Sequence, residues 1–318
     1  MDLLVHPRRG LFQLTKCQNC GYSFECKNCT AKLTTYRTTN YSLELVCHQC
    51  QSYYSYPIKC PECKSTDVVS KFGGIDDLAE TLATKLNKNV VRLDAEKSYE
   101  KIQAAITLNE DNPDSIFVTT RVFDPAIPYS KFAKIIFIQA ENLLASPDYL
   151  VQEETAKALG EIFMQVDEKS EIIFDTNTSD LEFFQNLIKL NQDYPKPESV
   201  DFWYTSFLEK ELQSRQKFGF PPFVNLLLLT TQEKDLQKSL QKLAATKHYF
   251  EKSKLELPGV TWGSPYPAKF LRRKGMFSHH LLVRFPRNYE QYKTLQKIVF
   301  GLQELYKLQV RLNPRHLF

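Results

Sequence analysis

Glycine is scarce in this chain, 10 residues of 318, against a usual share of roughly 7%. Loops that cradle a phosphate with backbone N–H groups need glycine for the close approach, so they have little raw material here. The sequence also holds no G-x-x-x-x-G-K-[ST] segment, the loop whose backbone and lysine hold nucleotide phosphates. No run approaches the length of apolar residues that a membrane helix needs. The start, MDLLVHPRRGLFQL, has neither a signal-like apolar stretch nor a small-residue cleavage site. A membrane span and a secretory leader are therefore not expected, and a cytoplasmic protein is. Strong net charge is lacking too: 41 Lys and Arg stand against 37 Asp and Glu, for a formal +4. Any affinity for nucleic acid has to come from local patches. No cysteine follows Cys63, the last of eight.

What is present bounds the rest. With 42% hydrophobic and 25% charged residues over 318 positions, the chain can bury full cores, and its length suggests two or three domains. The eight cysteines form four C-x-x-C pairs: Cys17/Cys20, Cys26/Cys29, Cys47/Cys50 and Cys60/Cys63. That spacing lets one tight turn aim two thiolates at a single metal, and two such turns complete a tetrahedral site. Four pairs predict two structural Zn²⁺ ions in closed sites with no open position for catalytic water. A disulfide framework would need an oxidising compartment that nothing here indicates. Only five residues separate Cys20 from Cys26, too few for those neighbouring pairs to share one ion comfortably. A nested arrangement and a crossed one both remain. Between Lys16 and Lys64 six Lys and Arg face three Glu, an excess that two four-thiolate sites would more than cancel. Tyr41, Tyr53, Tyr54 and Tyr56 are expected to pack rather than to stack on bases.

From Ile75 onward helices and strands alternate. IDDLAETLATKL reads as an amphipathic helix with Asp76 and Asp77 favouring its dipole. VVRLD, SIFVTT, KIIFIQ and EIIFDT read as short buried strands, with helices near 97–109, 148–165 and 179–190, so a parallel sheet covered on both faces is expected. Asp148, Glu153 and Glu154 read as helix-start and solvent-face residues. DYPKPES, 193–199, reads as a junction, followed by a helix over FLEKELQSRQKF that ends at GFPPF. Residues 224–318 then show strand, helix, two strands, helix and strand, the ferredoxin-like α+β order.

RRGLFQLTKCQNCGYSFECKNC, LVCHQC and IKCPEC followed by FGGIDDLAETLATKL resemble the zinc region of PriA, the primosomal protein N′ family of replication-restart DNA helicases. ASPDYLVQEETAKALGEIFMQV, FLEKELQSRQKFGFPPF, YPAKFLRRKGMFSHHLLVRFP and VRLNPRHLF are similar to later segments of that family, in the same order. The resemblance implies an α/β multidomain chain. Residues 1–16 and 64–192 would form a degenerate RecA-like helicase lobe 2, with a zinc module inserted at 17–63. A linker and helix at 193–223 and the ferredoxin-like domain at 224–318 would follow, with no first helicase lobe. It also implies the nested pairing: Cys17, Cys20, Cys60 and Cys63 on one Zn²⁺, and Cys26, Cys29, Cys47 and Cys50 on the other. Where the family has a Gly- and Arg-rich motif after Gln165-Val166, this chain has Asp167, Glu168 and Lys169, and the sole cation near TTRVFDPAIP is Arg121. An arginine there would offset charge developing on a γ-phosphate, whereas carboxylates repel it. No ATP is expected to bind productively, and the chain is expected to be a pseudoenzyme.

From Leu257 to Tyr289 there is no Asp or Glu, while Lys269, Arg272, Arg273, Lys274, Arg284 and Arg287 are interleaved with aromatic residues. Cations along phosphates with aromatic faces against bases are what sequence-indifferent single-strand binding requires. KFLRRKG, read as a loop between two strands, carries the expected DNA contacts. Of His279 and His280, adjacent on a strand, one at most points outward. Arg8 and Arg9 match the family's RRG. The leading expectation is a helicase-inactive PriA-like primosomal protein that binds branched or single-stranded DNA in replication or its restart. One alternative is half of a split ATP-dependent helicase. Another is a scaffold that docks on single-strand-binding protein or another primosome component.

Overall fold

The computed structural model describes residues 1–7, 10–85, 87–93, 98–112, 114–120, 123–167, 169–192 and 197–317. Two compact units divide the chain. One comprises Met1–Phe24, Lys32–Ser146 and Val151–Leu208, the other Glu25–Ala31, Pro147–Leu150 and Glu209–Phe318. Among the described residues no helix is long and apolar enough to cross a membrane.

After β1 (Asp2–Val5) come five short strands: β2 (Phe12–Cys17), β3 (Thr34–Arg37), β4 (Leu43–Val46), β5 (Tyr53–Ser55) and β6 (Val68–Gly73). Alternation follows, with α1 (Ile75–Lys85), β7 (Val90–Leu93), α2 (Tyr99–Thr107), β8 (Ile116–Thr119), β9 (Lys134–Phe137), α3 (Val151–Phe163), β10 (Glu171–Phe174) and α4 (Glu182–Gln192). β1 takes the centre of a parallel sheet of order β10-β9-β1-β8-β7, with Leu3 opposite both Phe117 and Ile135. Three of the four positions in each of its strands are apolar because both faces are covered. Leu3, Phe117, Ile135 and Phe137 pack with Ile102, Leu159, Phe163 and Phe184 on one face. Leu4, Val118 and Ile136 pack with Ile75, Leu78 and Leu82 on the other.

The cysteines are carried by a separate antiparallel sheet of order β5-β4-β3-β2-β6. Its closing pair runs from Phe12 opposite Gly73 to Cys17 opposite Val68, so the sheet extends beyond the expected 17–63 on both sides. Its interior is partly polar. Thr15 Oγ1 lies 3.0 Å from Thr35 Oγ1 and 2.9 Å from Ser70 Oγ, and the Tyr56 hydroxyl reaches Ser70 at 2.9 Å.

Residues 197–199, read as part of a junction, instead form the first turn of α5 (Pro197–Phe218). The remaining elements are β11 (Val224–Glu233), α6 (Leu236–Lys252), β12 (Thr261–Trp262), β13 (Tyr266–Arg273), β14 (Met276–Pro286), α7 (Tyr292–Tyr306) and β15 (Gln309–Leu312). They build a sheet of order β12-β14-β11-β15, with β13 also paired to β14. The pairs are antiparallel. Asp235 caps α6 by accepting the Lys238 N–H at 2.7 Å, which satisfies one of the amides a helix start leaves open. Leu227, Leu229, Leu281 and Val283 alternate toward Leu243, Phe250, Leu295 and Val299 of the two helices. Leu226, Leu228 and Leu282 face the opposite side, with Leu317 and Phe220.

Candidate metal centres and a basic hairpin

Each C-x-x-C pair closes the same turn. The N–H four residues after the first cysteine donates to that cysteine's carbonyl: Gly21 to Cys17 at 3.0 Å, Thr30 to Cys26 at 2.8 Å, Gln51 to Cys47 at 2.8 Å and Lys64 to Cys60 at 3.1 Å. The cysteine N–H in turn donates to a carbonyl five residues on: Tyr22, Ala31, Ser52 and Ser65 respectively. The chain reverses at a left-handed residue each time, with φ of 76° at Gly21, 60° at Thr30, 59° at Gln51 and 63° at Lys64. Glycine takes that conformation freely and the other three do not.

These turns gather the thiols in two foursomes, Cys17, Cys20, Cys60, Cys63 and Cys26, Cys29, Cys47, Cys50, with sulfurs within 4.8 Å of one another in each. These are the foursomes that the PriA resemblance implies, a nested arrangement. Cys17 and Cys63 sulfurs lie 3.6 Å apart, as do those of Cys20 and Cys60. Zn–S bonds of about 2.3 Å in a tetrahedron put sulfurs about 3.8 Å apart, so the spacing fits an ion; it is far beyond the roughly 2.05 Å of a disulfide, and none of the eight cysteines is disulfide-bonded. Outer hydrogen bonds support the sulfurs. The Asn28 N–H lies 3.4 Å from Cys26 Sγ, and the Asn19 amide lies 3.6 Å from Cys63 Sγ. The Ser65 N–H and the Asn19 amide bring the Cys63 thiol down to about 6. At Cys20 the lowering by the Tyr22 backbone is outweighed by desolvation and by the sulfurs of Cys63, Cys60 and Cys17, which raise the thiol to about 12, so the four sulfurs share protons that a bound metal would displace. Four sulfurs in a closed shell supply charge and geometry for a structural Zn²⁺.

The tyrosines of this sheet divide. Tyr54 is half-buried, and Tyr56 is hydrogen-bonded within the sheet, whereas Tyr41 is 84% and Tyr53 65% exposed, against the expectation that all four pack.

KFLRRKG is not a loop. Lys269, Arg272 and Arg273 lie in β13, whose pairing with β14 shifts register between Pro267 and Arg272. Lys274 and Gly275, at φ of 49° and 77°, form the two-residue turn between Arg273 and its partner Met276, the tight primed turn of a hairpin. Lys269, Arg273 and Lys274 are exposed. The Arg272 guanidinium lies 5.4 Å from the Phe277 ring, which leaves its charge near the tip. Arg284 is engaged internally: its Nε donates to the Gly219 carbonyl at 3.0 Å, and its guanidinium lies 5.3 Å from the Phe220 ring. Burial lowers its pKa from the usual value. Arg287 is exposed, but β14 separates it from the tip by roughly 35 Å of extended chain. The turn end of the hairpin thus carries four of the six cations, while Arg284 lies toward the far end of β14 and Arg287 just past it.

Both histidines are enclosed. His279 Nδ1 pairs with Ser239 Oγ at 2.8 Å, and His280 Nδ1 with Thr230 Oγ1 at 2.8 Å. Burial, then Arg311 and His279, lower the His280 pKa to about 4; burial also lowers that of His279. Asp148 lies three residues before α3 rather than in its first turn: it accepts the Leu317 N–H at 2.7 Å and lies 3.1 Å from His316 Nδ1. Glu153 and Glu154 lie in the first turn of α3, as expected. Arg8, Arg9, Arg121 and Glu168 lie outside the described residues.

The family model of the Primosomal protein N C-terminal domain matches residues 216–315, the span that holds the hairpin. The replication restart protein PriA of Haemophilus influenzae is 24% identical over 323 aligned positions, covering 98% of this chain and 40% of that protein. PriA of Synechocystis is 24% identical over 89% of this chain and 33% of its own length, and PriA of Bacillus subtilis 22% over 97% and 36%. The chain therefore spans 40% or less of the length of these three relatives. The chain is similar to the replication restart protein PriA along almost all of its own length, and its residues 216–315 match the Primosomal protein N C-terminal domain.

Proposed function

We propose that this chain binds branched or single-stranded DNA in replication restart and does not itself hydrolyse ATP. The observation that carries the reading is the similarity to PriA over 98% of the chain. The hairpin supports DNA as the ligand, since Lys269, Arg273 and Lys274 project exposed charge where phosphates can be neutralised without base reading. The strand order β12-β14-β11-β15, written by position in the motif as 2-3-1-4, supports a ferredoxin-like domain. The order β10-β9-β1-β8-β7 supports a RecA-like lobe as its neighbour in the chain. The two foursomes would hold structural Zn²⁺ that orders the sheet between β1 and α1. Against ATP hydrolysis stand the missing P-loop sequence and the run QVDEKSE where the family carries arginine.

The test is binding of the zinc-loaded chain to a forked DNA, a single strand and a blunt duplex across a salt series, with ATP hydrolysis measured alongside. Three phosphates neutralised by the hairpin predict a slope of log affinity on log salt of about −2 for a single strand. Arg273→Glu with Lys274→Glu is expected to abolish most of that slope. Salt-independent binding, or none, would sink the DNA reading, and DNA-stimulated ATP hydrolysis would sink the inactive one.

A further inference from the structure

The two cysteine foursomes differ in access. In the first, Cys20 is exposed and Cys63 is open to solvent, while Cys17 and Cys60 are buried. In the second, Cys26, Cys29 and Cys47 are buried and Cys50 is half-buried. We propose that the foursome Cys17, Cys20, Cys60 and Cys63 is the protein's oxidation site, at which a small peroxide joins the Cys17/Cys20 turn to the Cys60/Cys63 turn, while the second foursome stays reduced. The inference rests on the reading that both foursomes hold zinc.

The geometry supplies the chemistry. A thiolate attacks peroxide at a rate set by its accessibility as well as its charge, and Cys20 and Cys63 are the exposed cysteines of the eight; on one route the attacker is Cys20. Its sulfur takes one oxygen from hydrogen peroxide, becoming a sulfenic acid while the other oxygen leaves as water with a proton. The buried Cys60 sulfur, 3.6 Å away, then attacks the oxidised sulfur. The S–O bond breaks, an S–S bond forms, and the oxygen leaves as a second water with a second proton. Two thiolates have lost two electrons and one peroxide has gained them. The sulfurs approach by only about 1.5 Å to reach disulfide length. The Cys63 and Cys17 sulfurs, also 3.6 Å apart, offer the equivalent route. In both cases an open sulfur stands against a buried one on the opposite turn, so the product is a crosslink between residues 40 or 46 positions apart rather than a loop within one C-x-x-C. Losing two of four donors releases that site's metal.

The experiment uses the full zinc-loaded chain. Its zinc content, measured first, tests the metal reading by itself. The protein is then treated with hydrogen peroxide, zinc release is followed with a chromogenic chelator, and cysteines are mapped by differential alkylation and peptide mass spectrometry. One equivalent of zinc is expected to leave about tenfold faster than the other, with peptides carrying Cys17 or Cys20 linked to those carrying Cys60 or Cys63. Release of both equivalents together, earlier oxidation of Cys26, Cys29, Cys47 or Cys50, or bridges confined within single C-x-x-C pairs would overturn the proposal. The mapping reads the order of oxidation whatever the zinc content, so failure of the metal reading and failure of the site are told apart.

Discussion

The cysteine sheet and the C-terminal sheet are both five-stranded and antiparallel, yet different forces hold them. In the C-terminal sheet, Leu229, Leu281 and Val283 are fully buried against Leu243 and Phe250 of the covering helix α6. In the cysteine sheet the fully buried Thr15 and Thr35 hydrogen-bond to each other and to Ser70, and the buried apolar side chains among its described residues, cysteine aside, are Leu11, Ala31, Leu33, Leu45 and Val46. Apolar burial at about 25 cal/mol per Å² closes the C-terminal sheet, whereas the cysteine sheet has hydroxyl pairs worth about 1 kcal/mol each and, on the function proposed above, relies on sulfur and metal. The same strand arrangement can thus be stabilised from its core or from its turns.

Chelation is the most forceful way to break this comparison. A structural zinc contributes about 10 kcal/mol or more to the fold that it orders, so stripping both ions should expose residues 12–73 to limited proteolysis and leave 224–312 protected. Equal protection of both regions without metal would contradict the division of forces. Core truncation works in the opposite direction: Phe250→Ala should cost the C-terminal unit about 4 kcal/mol in denaturant unfolding while the protein's zinc content stays the same.

Acid distinguishes the sheets more gently. His280 has its folded pKa lowered to about 4, against an ordinary value of about 6.5. Its contribution is therefore fully present above the unfolded value and is lost as pH falls from about 6.5 toward 4, because the unfolded chain takes up the proton first. With a discount for partial solvation, the C-terminal unit should lose about 2 kcal/mol over that window, read as a lower denaturant midpoint at pH 5 than at pH 7. The smallest effect is in a metal turn. Gln51→Gly relieves a left-handed φ of 59° and should tighten zinc retention about twofold in a chelator competition, since about 0.5 kcal/mol remains after the entropy that glycine adds to the unfolded chain.

Much of the parallel sheet was legible because strands covered on both faces become short apolar runs such as KIIF and EIIF. β13 was not, because YPAKFLRR mixes a proline, a bulge and cations at a sheet edge, so no alternation survives. The strands of the cysteine sheet are three to six residues long and carry hydroxyls inward, which defeats a pattern built on apolar side chains. Spacing alone established that the cysteines pair locally, but which pairs meet depends on β2 closing against β6, a long-range fact. Arg284 looked like its basic neighbours in charge; only the Gly219 carbonyl and the Phe220 ring beside it show that it works inside the unit.

The central strand β1 has a consequence for assembly. Both of its partners, β8 and β9, are supplied by chain more than a hundred residues downstream, so its hydrogen bonds wait on a long loop whose closure is entropically slow. The cysteine sheet lies within that loop, and once folded it shortens the free chain that must be drawn together. If its foursomes hold zinc as proposed, metal capture would come ahead of the sheet that surrounds β1, and the refolding rate of that sheet should rise with zinc supply.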